Sequence, residues 1–194
     1  DAPPEHFDEM LQSWDMSFKG SDGSDFVVGQ VWGRVGANKY LLDQVRGRMD
    51  ITQTIDKIRM LTARYPEARL KLIEDKANGP AVRSLLKGSV SGLVAVNPEG
   101  GKVSRASAIM PDIEAGNVYL PRNVGWIEDF MHEANSFPRG AHDDQVDAMT
   151  QALRRLMFSD HLGAIDPYAP KRLDRHLPDA LQNDPVEHND WYVM

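Results

Sequence analysis

Short apolar, β-branched runs alternate along the chain with segments of helical period, and turn residues separate them. Apolar residues dominate from Met10 to Trp14, and Asp15 follows at the end of what reads as a first strand. Two more strands are predicted over residues 26–32 and 40–45. Their links are rich in Gly, Ser, Asp and Asn, so the three strands read as an antiparallel meander. Asp50 then caps a helix with Ile51, Ile55, Ile58, Leu61 and Tyr65 on its apolar face, stopped by Pro66. Residues 70–74 form a strand ending on Glu74, and a helix over 80–86 follows with Pro80 at a tolerated early position. A short strand at 93–98, a helix over 104–114 interrupted by Pro111, a small edge strand at 118–121 and a helix over 126–134 come next. In the last segment Val146, Met149, Leu153 and Leu156 mark the buried stripe of a final helix. The expected fold class is α/β: a mixed sheet, three antiparallel strands and then parallel ones, with helices on both faces.

The pattern also sets the expected boundaries. Residues 1–9, with Pro3-Pro4, read as a lead-in, residues 10–158 as one domain, and residues 159–194 as an extended or partly disordered tail. Four prolines and seven acids against three bases weaken any long element in that tail, although a short helix at 173–181 is compatible with them. The final Trp191-Tyr192-Val193-Met194 is apolar enough to dock on a partner, and an unstructured end is the plainer reading.

A chain of 194 residues, 41% hydrophobic, can bury a proper core. No apolar run approaches the roughly 20 residues that span a bilayer, so no membrane role is expected. Without cysteine there is no disulfide, thiolate zinc site or cysteine nucleophile. The net charge of -7 argues against a large basic nucleic-acid surface.

The chemistry concentrates at His142-Asp143-Asp144-Gln145-Val146-Asp147-Ala148, the mouth of the final helix. Capping and the helix dipole account for one or two acids there. A third beside them adds repulsion that a cation would relieve. Asp15 and Glu74 end neighbouring strands, about 4.8 Å apart in a sheet, so they could share the same ions. Each acid alone is more often a surface group than a ligand; together at one sheet edge they form a constellation. Carboxylate oxygens suit Mg²⁺ or Mn²⁺, whereas His132-Glu133 lacks the second His of a zinc protease motif.

Four blocks carry a family likeness: Trp14-Asp15 with its Gly/Ser/Asp turn, the run from Ile73 to Gly79, the run from Lys102 through Gly116 to Pro121, and the acidic block from His142 to Ala148. In these the chain resembles the RNase H-like C-terminal nuclease domain of the large terminase subunit of tailed bacteriophages. The resemblance implies a metal-dependent endonuclease that cuts concatemeric viral double-stranded DNA during packaging, by two-metal phosphodiester hydrolysis with two Mg²⁺ or Mn²⁺ ions. It implies that Asp15, Glu74, Asp144 and Asp147 carry catalysis and bind metal, with Asp143 ligating or capping. Which of Asp143 and Asp144 is the direct ligand stays open, and His142 reads as structural. Lys19, Lys76, Lys102 and Arg105 are the basic residues positioned to hold DNA phosphates. No Gly-x-x-x-x-Gly-Lys-Ser/Thr loop is present, so the expected ATPase domain would lie N-terminal to an excised nuclease domain. Portal protein and small terminase subunit are the implied partners, and the host cytoplasm the implied location. A junction resolvase or RNase H of the same fold, and a non-catalytic portal-docking module, are the alternatives.

Overall fold

Strands whose residues alternate between two apolar faces need cover on both, and the helices of this chain divide between them. The computed structural model describes residues 4–16, 26–76, 78–162 and 191–194, with side chains of the last helix described to Met157. Strands β1 (Glu9–Met16), β2 (Val27–Val35) and β3 (Asn38–Gly47) form the expected antiparallel meander. After α1 (Ile51–Arg64), β4 (Ala68–Glu74) returns parallel to β1. After α2 (Gly79–Leu86), β5 (Leu93–Val96) lies parallel to β4. After α3 (Lys102–Glu114), β6 (Val118–Pro121) adds parallel to β3; α4 (Ile127–Ser136) and α5 (Asp144–Leu162) follow. A last strand, β7 (Trp191–Val193), closes the order β5-β4-β1-β2-β3-β6-β7. Among the described residues no helix is long and apolar enough to cross a membrane.

Alternation splits the core in two. Trp14, Val27, Val31 and Ile73 meet Ile58 and Leu61 of α1 and Val82 and Leu86 of α2. On the opposite face Leu11, Trp32, Leu41 and Leu72 meet Ile109 of α3, Phe130 of α4, and Val146, Met149, Leu153 and Leu156 of α5. Both tryptophans are fully buried, and each indole N–H donates to the glutamine two residues earlier: Trp14 to Gln12 at 3.0 Å, Trp32 to Gln30 at 2.9 Å. That pairing lets a polar side chain sit inside each core without an orphaned donor. Asp50 does cap α1, accepting from Gln53 N at 2.8 Å while its own N–H donates to Gln53 Oε1 at 3.0 Å.

Two expectations are corrected. The third helix is not interrupted at Pro111: Ala115 N still donates to Pro111 O at 3.0 Å, so the helix continues. Pro111 is exposed, and water can serve the one carbonyl its missing N–H leaves unpaired. Nor is β6 an edge strand, because β7 pairs antiparallel outside it, Leu120 facing Tyr192. Trp191 packs edge-on against Tyr40 at 5.4 Å, which itself stacks on Tyr119 at 4.7 Å. Of the tail expected over 159–194, α5 thus takes the start and β7 part of the end, while residues 163–190 lie outside the described residues.

At the junction that delivers Glu74, the backbone of α2 comes very close. A Cβ on Gly79 would stand 1.9 Å from the Glu74 carbonyl oxygen, inside any tolerable contact. Backbone must therefore shift in Gly79→Ala, at a cost of about 1–3 kcal/mol. Gly88→Ala, where a Cβ meets nothing within 4 Å, is the control and should show no loss. Urea unfolding midpoints check both; coincident curves for Gly79→Ala and the parent chain would contradict the close approach.

Candidate functional site

Asp15 and Glu74 follow directly on Trp14 and Ile73, the last paired residues of the parallel β1–β4 ladder, so both carboxylates stand at the same end of adjacent strands. Leu72 and Ser13 face α5, and so by alternation do Glu74 and Asp15. The first turn of α5 brings Asp144 and Asp147, both buried, to that end. Ser13 Oγ donates to Ala148 O at 2.7 Å. Gln151 Nε2 donates to Ser13 Oγ at 2.9 Å and reaches the carbonyls of Trp14 and Leu72 at 3.4 and 3.3 Å. Those bonds staple α5 across β1 and β4 immediately behind the acids.

Burial holds the Asp15 carboxyl well above the usual carboxylate range, and the charges of Asp147, Glu74 and Asp144 push it further. Acids from two separate stretches, β4 and the first turn of α5, thus act on one buried group of a third, β1. Lys102 opposes them. Its Nζ lies 2.6 Å from Asp143 Oδ1 and 2.8 Å from Asp147 Oδ2. Burial alone would lower the Lys102 ammonium, but its hydrogen bonds to Asp143 and Asp147 and their charge raise it above its ordinary value. Arg105 Nη2 donates to Asp147 Oδ1 at 2.7 Å, and Nη1 to Gly100 O at 3.2 Å. Lys102 and Arg105 therefore close onto the acids of α5 instead of lining a separate phosphate track. Lys76 lies 3.7 Å from Glu74 Oε1, Asp75 pairs with Arg83 on α2, and Lys19 lies outside the described residues. His142 Nδ1 is 4.0 Å from Asp144 Oδ2, and its ring meets Phe26 edge-on.

Among the described residues no three acids or histidines stand close enough to form a ready-made metal cage. The donor chemistry nonetheless fits a hard divalent cation: buried carboxylates in mutual repulsion, without sulfur. A cleft of about 310 Å³ runs beside them, lined by Asp15, Glu74, Arg105, Asp147 and Arg154.

Glu133 on α4 is the group that sequence reasoning missed. Buried at 5% exposure, it accepts from Gln145 N at 2.6 Å and Val146 N at 3.2 Å, the free amides at the start of α5. Gln145 Nε2 also donates to Glu133 Oε2 at 2.6 Å, and Arg46 Nη2 lies 3.6 Å away. Glu133 is thus a helix cap supplied by another helix, and it sets the pose of the turn bearing Asp144 and Asp147. Its partner Gln145 continues into the sheet: Gln44 Nε2 donates to Gln145 Oε1 and Gln30 Nε2 to Gln44 Oε1, both at 2.8 Å. One signal was present, since Ile127, Phe130 and Glu133 share the three-residue spacing of a buried stripe.

The family model for the terminase RNaseH-like domain matches residues 12–156. The large terminase nuclease of thermophilic phage G20c, solved with bound magnesium, aligns at TM-score 0.59 and 16% identity, covering 80% of this chain and 84% of that one. The large terminase nuclease domain of bacteriophage SPP1, with bound Mn, aligns at 0.51 and 14%, covering 78% and 88%. For the large terminase of a second thermophilic bacteriophage the values are 0.59 and 8%, with 80% of this chain but 42% of that longer protein covered. At these identities the likeness carries the fold, and that fold is the RNase H-like one expected from the sequence. No curated protein matches the sequence.

Two outcomes follow from the site geometry. Glu133→Ala leaves two amides and a glutamine without their buried acceptor, and should lower stability by about 3 kcal/mol in urea unfolding. Unchanged stability would remove Glu133 from its capping role. For Asp15, a folded pKa above the unfolded one means that ionisation opposes folding, an effect that grows as pH rises from about 4 through the folded value. In chelator, Asp15→Asn should therefore melt higher than the parent at pH 8, the gap closing below about pH 4. A variant melting lower at pH 8 would contradict the repulsive assignment.

Proposed function

The chain belongs to the terminase RNaseH-like domain family, and on that premise we propose that it is a divalent-metal-dependent endodeoxyribonuclease cutting concatemeric viral double-stranded DNA during genome packaging. The observation that carries this reading is that Asp15 and Glu74, at the ends of adjacent parallel strands, line one cleft with Asp147 of the α5 turn, and that the charges of Asp147, Glu74 and Asp144 all act on the buried Asp15. Asp15, Glu74, Asp144 and Asp147 would hold the ions, with Asp143 beside them. When bound, a pair of Mg²⁺ or Mn²⁺ ions supplies activation of water and neutralises charge on the phosphoryl group.

The chain's own residues do the rest. Their rigid mounting on β1, β4 and α5 fixes donor positions before substrate arrives, which keeps the cost of reorganisation low. Lys102 and Arg105 hold phosphate with the charges that now hold Asp143 and Asp147, and Lys76 serves at the Glu74 side. Lys19 is proposed for the same task on sequence grounds alone. A water oxygen bonds to phosphorus as the P–O3′ bond breaks, and the leaving 3′ oxygen takes up a proton, giving 5′ phosphate and 3′ hydroxyl ends. Within a longer terminase subunit the partners would be an N-terminal ATPase domain, the portal protein and the small terminase subunit, in the host cytoplasm.

Nicking of supercoiled plasmid in Mn²⁺ tests the reading. Asp15→Ala and Asp144→Ala should each lose about 100-fold or more in rate, the scale on which charge-stabilising groups at a reacting centre act. Cleavage by both variants at the parent's rate would overturn it. Strong preference for branched DNA or an RNA–DNA hybrid over linear duplex would redirect it to a resolvase or an RNase H.

A further inference from the structure

Lys102, Arg105 and Lys76 stand at the acids themselves, so DNA that extends beyond the acidic site needs further cations. A second cationic group lies along the same sheet end. Asp15 pairs with Val28 and Val28 with Arg46, so the three share one cross-strand row and one face. Two strand spacings put the Arg46 backbone about 10 Å from that of Asp15. Arg46 lays its guanidinium over the Phe26 ring at 3.8 Å, and Arg48, exposed, lies 5.2 Å from the same ring. The Phe26 ring in turn meets His142, next to the acidic turn, at 5.0 Å and 85°. A cleft of about 490 Å³ adjoins this cluster, lined by Phe26, Arg46, Met49, Lys57, Trp126 and Asp129. Lys57 is exposed, and Trp126 is partly so.

We propose that this cleft, with Arg46, Arg48 and Lys57 beside Phe26 and Trp126, binds the sugar–phosphate backbone of the DNA strand flanking the acidic site. The assignment rests on the nuclease reading and extends it to the track of the substrate. Arg46 and Lys57 of the cleft wall, with Arg48 at the Phe26 ring beside it, outnumber the one acid of that wall, Asp129, while Glu133 next to Arg46 is spent on the amides of α5. The planar guanidinium of Arg46 is held on an aromatic ring and pinned by a buried carboxylate, an arrangement that presents its remaining N–H donors in a fixed direction. A separation of about 10 Å keeps this cleft within a few nucleotides of a phosphate held at Asp15. Aromatic faces beside such cations suit nucleic acid, whose bases can stack on them. The contact is to backbone, so it is independent of sequence.

The experiment uses the double variant Arg48→Ala/Lys57→Ala, which spares Arg46 and its tie to Glu133. Binding of a labelled duplex is followed by fluorescence anisotropy in Ca²⁺ over a salt series, and Mn²⁺ affinity by calorimetry. The expected result is weaker binding on every duplex sequence, a log–log salt slope smaller by about two, and unchanged Mn²⁺ affinity. If the parent cleaves DNA but the variant keeps its slope and affinity, this cleft is not on the DNA path and the nuclease reading stands. If the variant loses Mn²⁺ affinity as well, it acts through the acidic site and the assignment also fails. If the parent neither binds nor cleaves DNA, both readings fall.

Discussion

Four carboxylates of like charge stay together at one end of this sheet because α5 cannot move away from it. Repulsion alone would open the cluster, and burial of Asp15 makes it more costly. Against that stand bonds from three directions: Ser13 and Gln151 tie α5 to β1 and β4, Glu133 caps its first turn, and the stripe from Val146 to Leu156 buries its side in the core. Lys102 and Arg105 then take up part of the negative charge. Everything that the acids can do chemically depends on this clamped helix. It is a case in which packing energy holds a locally unfavourable arrangement that a cation would relieve.

Much of this was legible in the chain itself. The acidic block was clear because its members are contiguous and lie at the mouth of a strongly periodic helix. Asp15 and Glu74 were legible as acids at the ends of apolar runs, where strand periodicity says which edge they reach. Glu133 was not, because a glutamate on an amphipathic helix looks like a solvated group unless its place on the buried stripe is noticed. Arg46 and Arg48 were hidden for another reason: their role depends on cross-strand register with Phe26 and Val28, which one strand's sequence does not contain. Three residues such as Trp191–Val193 are too few to show a period, so β7 could be found only in space. The continuation of α3 through Pro111 reflects an exposed position where solvent replaces the lost bond.

Placement of the two cores explains the division of labour in the fold. Helices α1 and α2 cover a face that carries none of the acids, and their task is to hold the ends of β1 and β4 in register. The opposite face carries α3, α4 and α5, and Lys102, Arg105, Glu133, Asp144 and Asp147 come from those helices, while Asp15 and Glu74 come from strand ends pointing toward them. The meander extends that edge beyond the acids, so one row of the sheet contains both Asp15 and Arg46.

The line of buried amides from Trp32 to Glu133 has a direction. At one end the indole can only donate; at the other an ionised carboxylate can only accept. Between them Gln30, Gln44 and Gln145 each pass an N–H toward the carboxylate and take one from the indole side. Reversing any one amide would set donor against donor and oxygen against oxygen inside the protein. The two fixed termini therefore select one orientation for all three glutamines, a polarised wire of dipoles whose positive N–H ends all point toward the carboxylate planted under the acidic turn of α5.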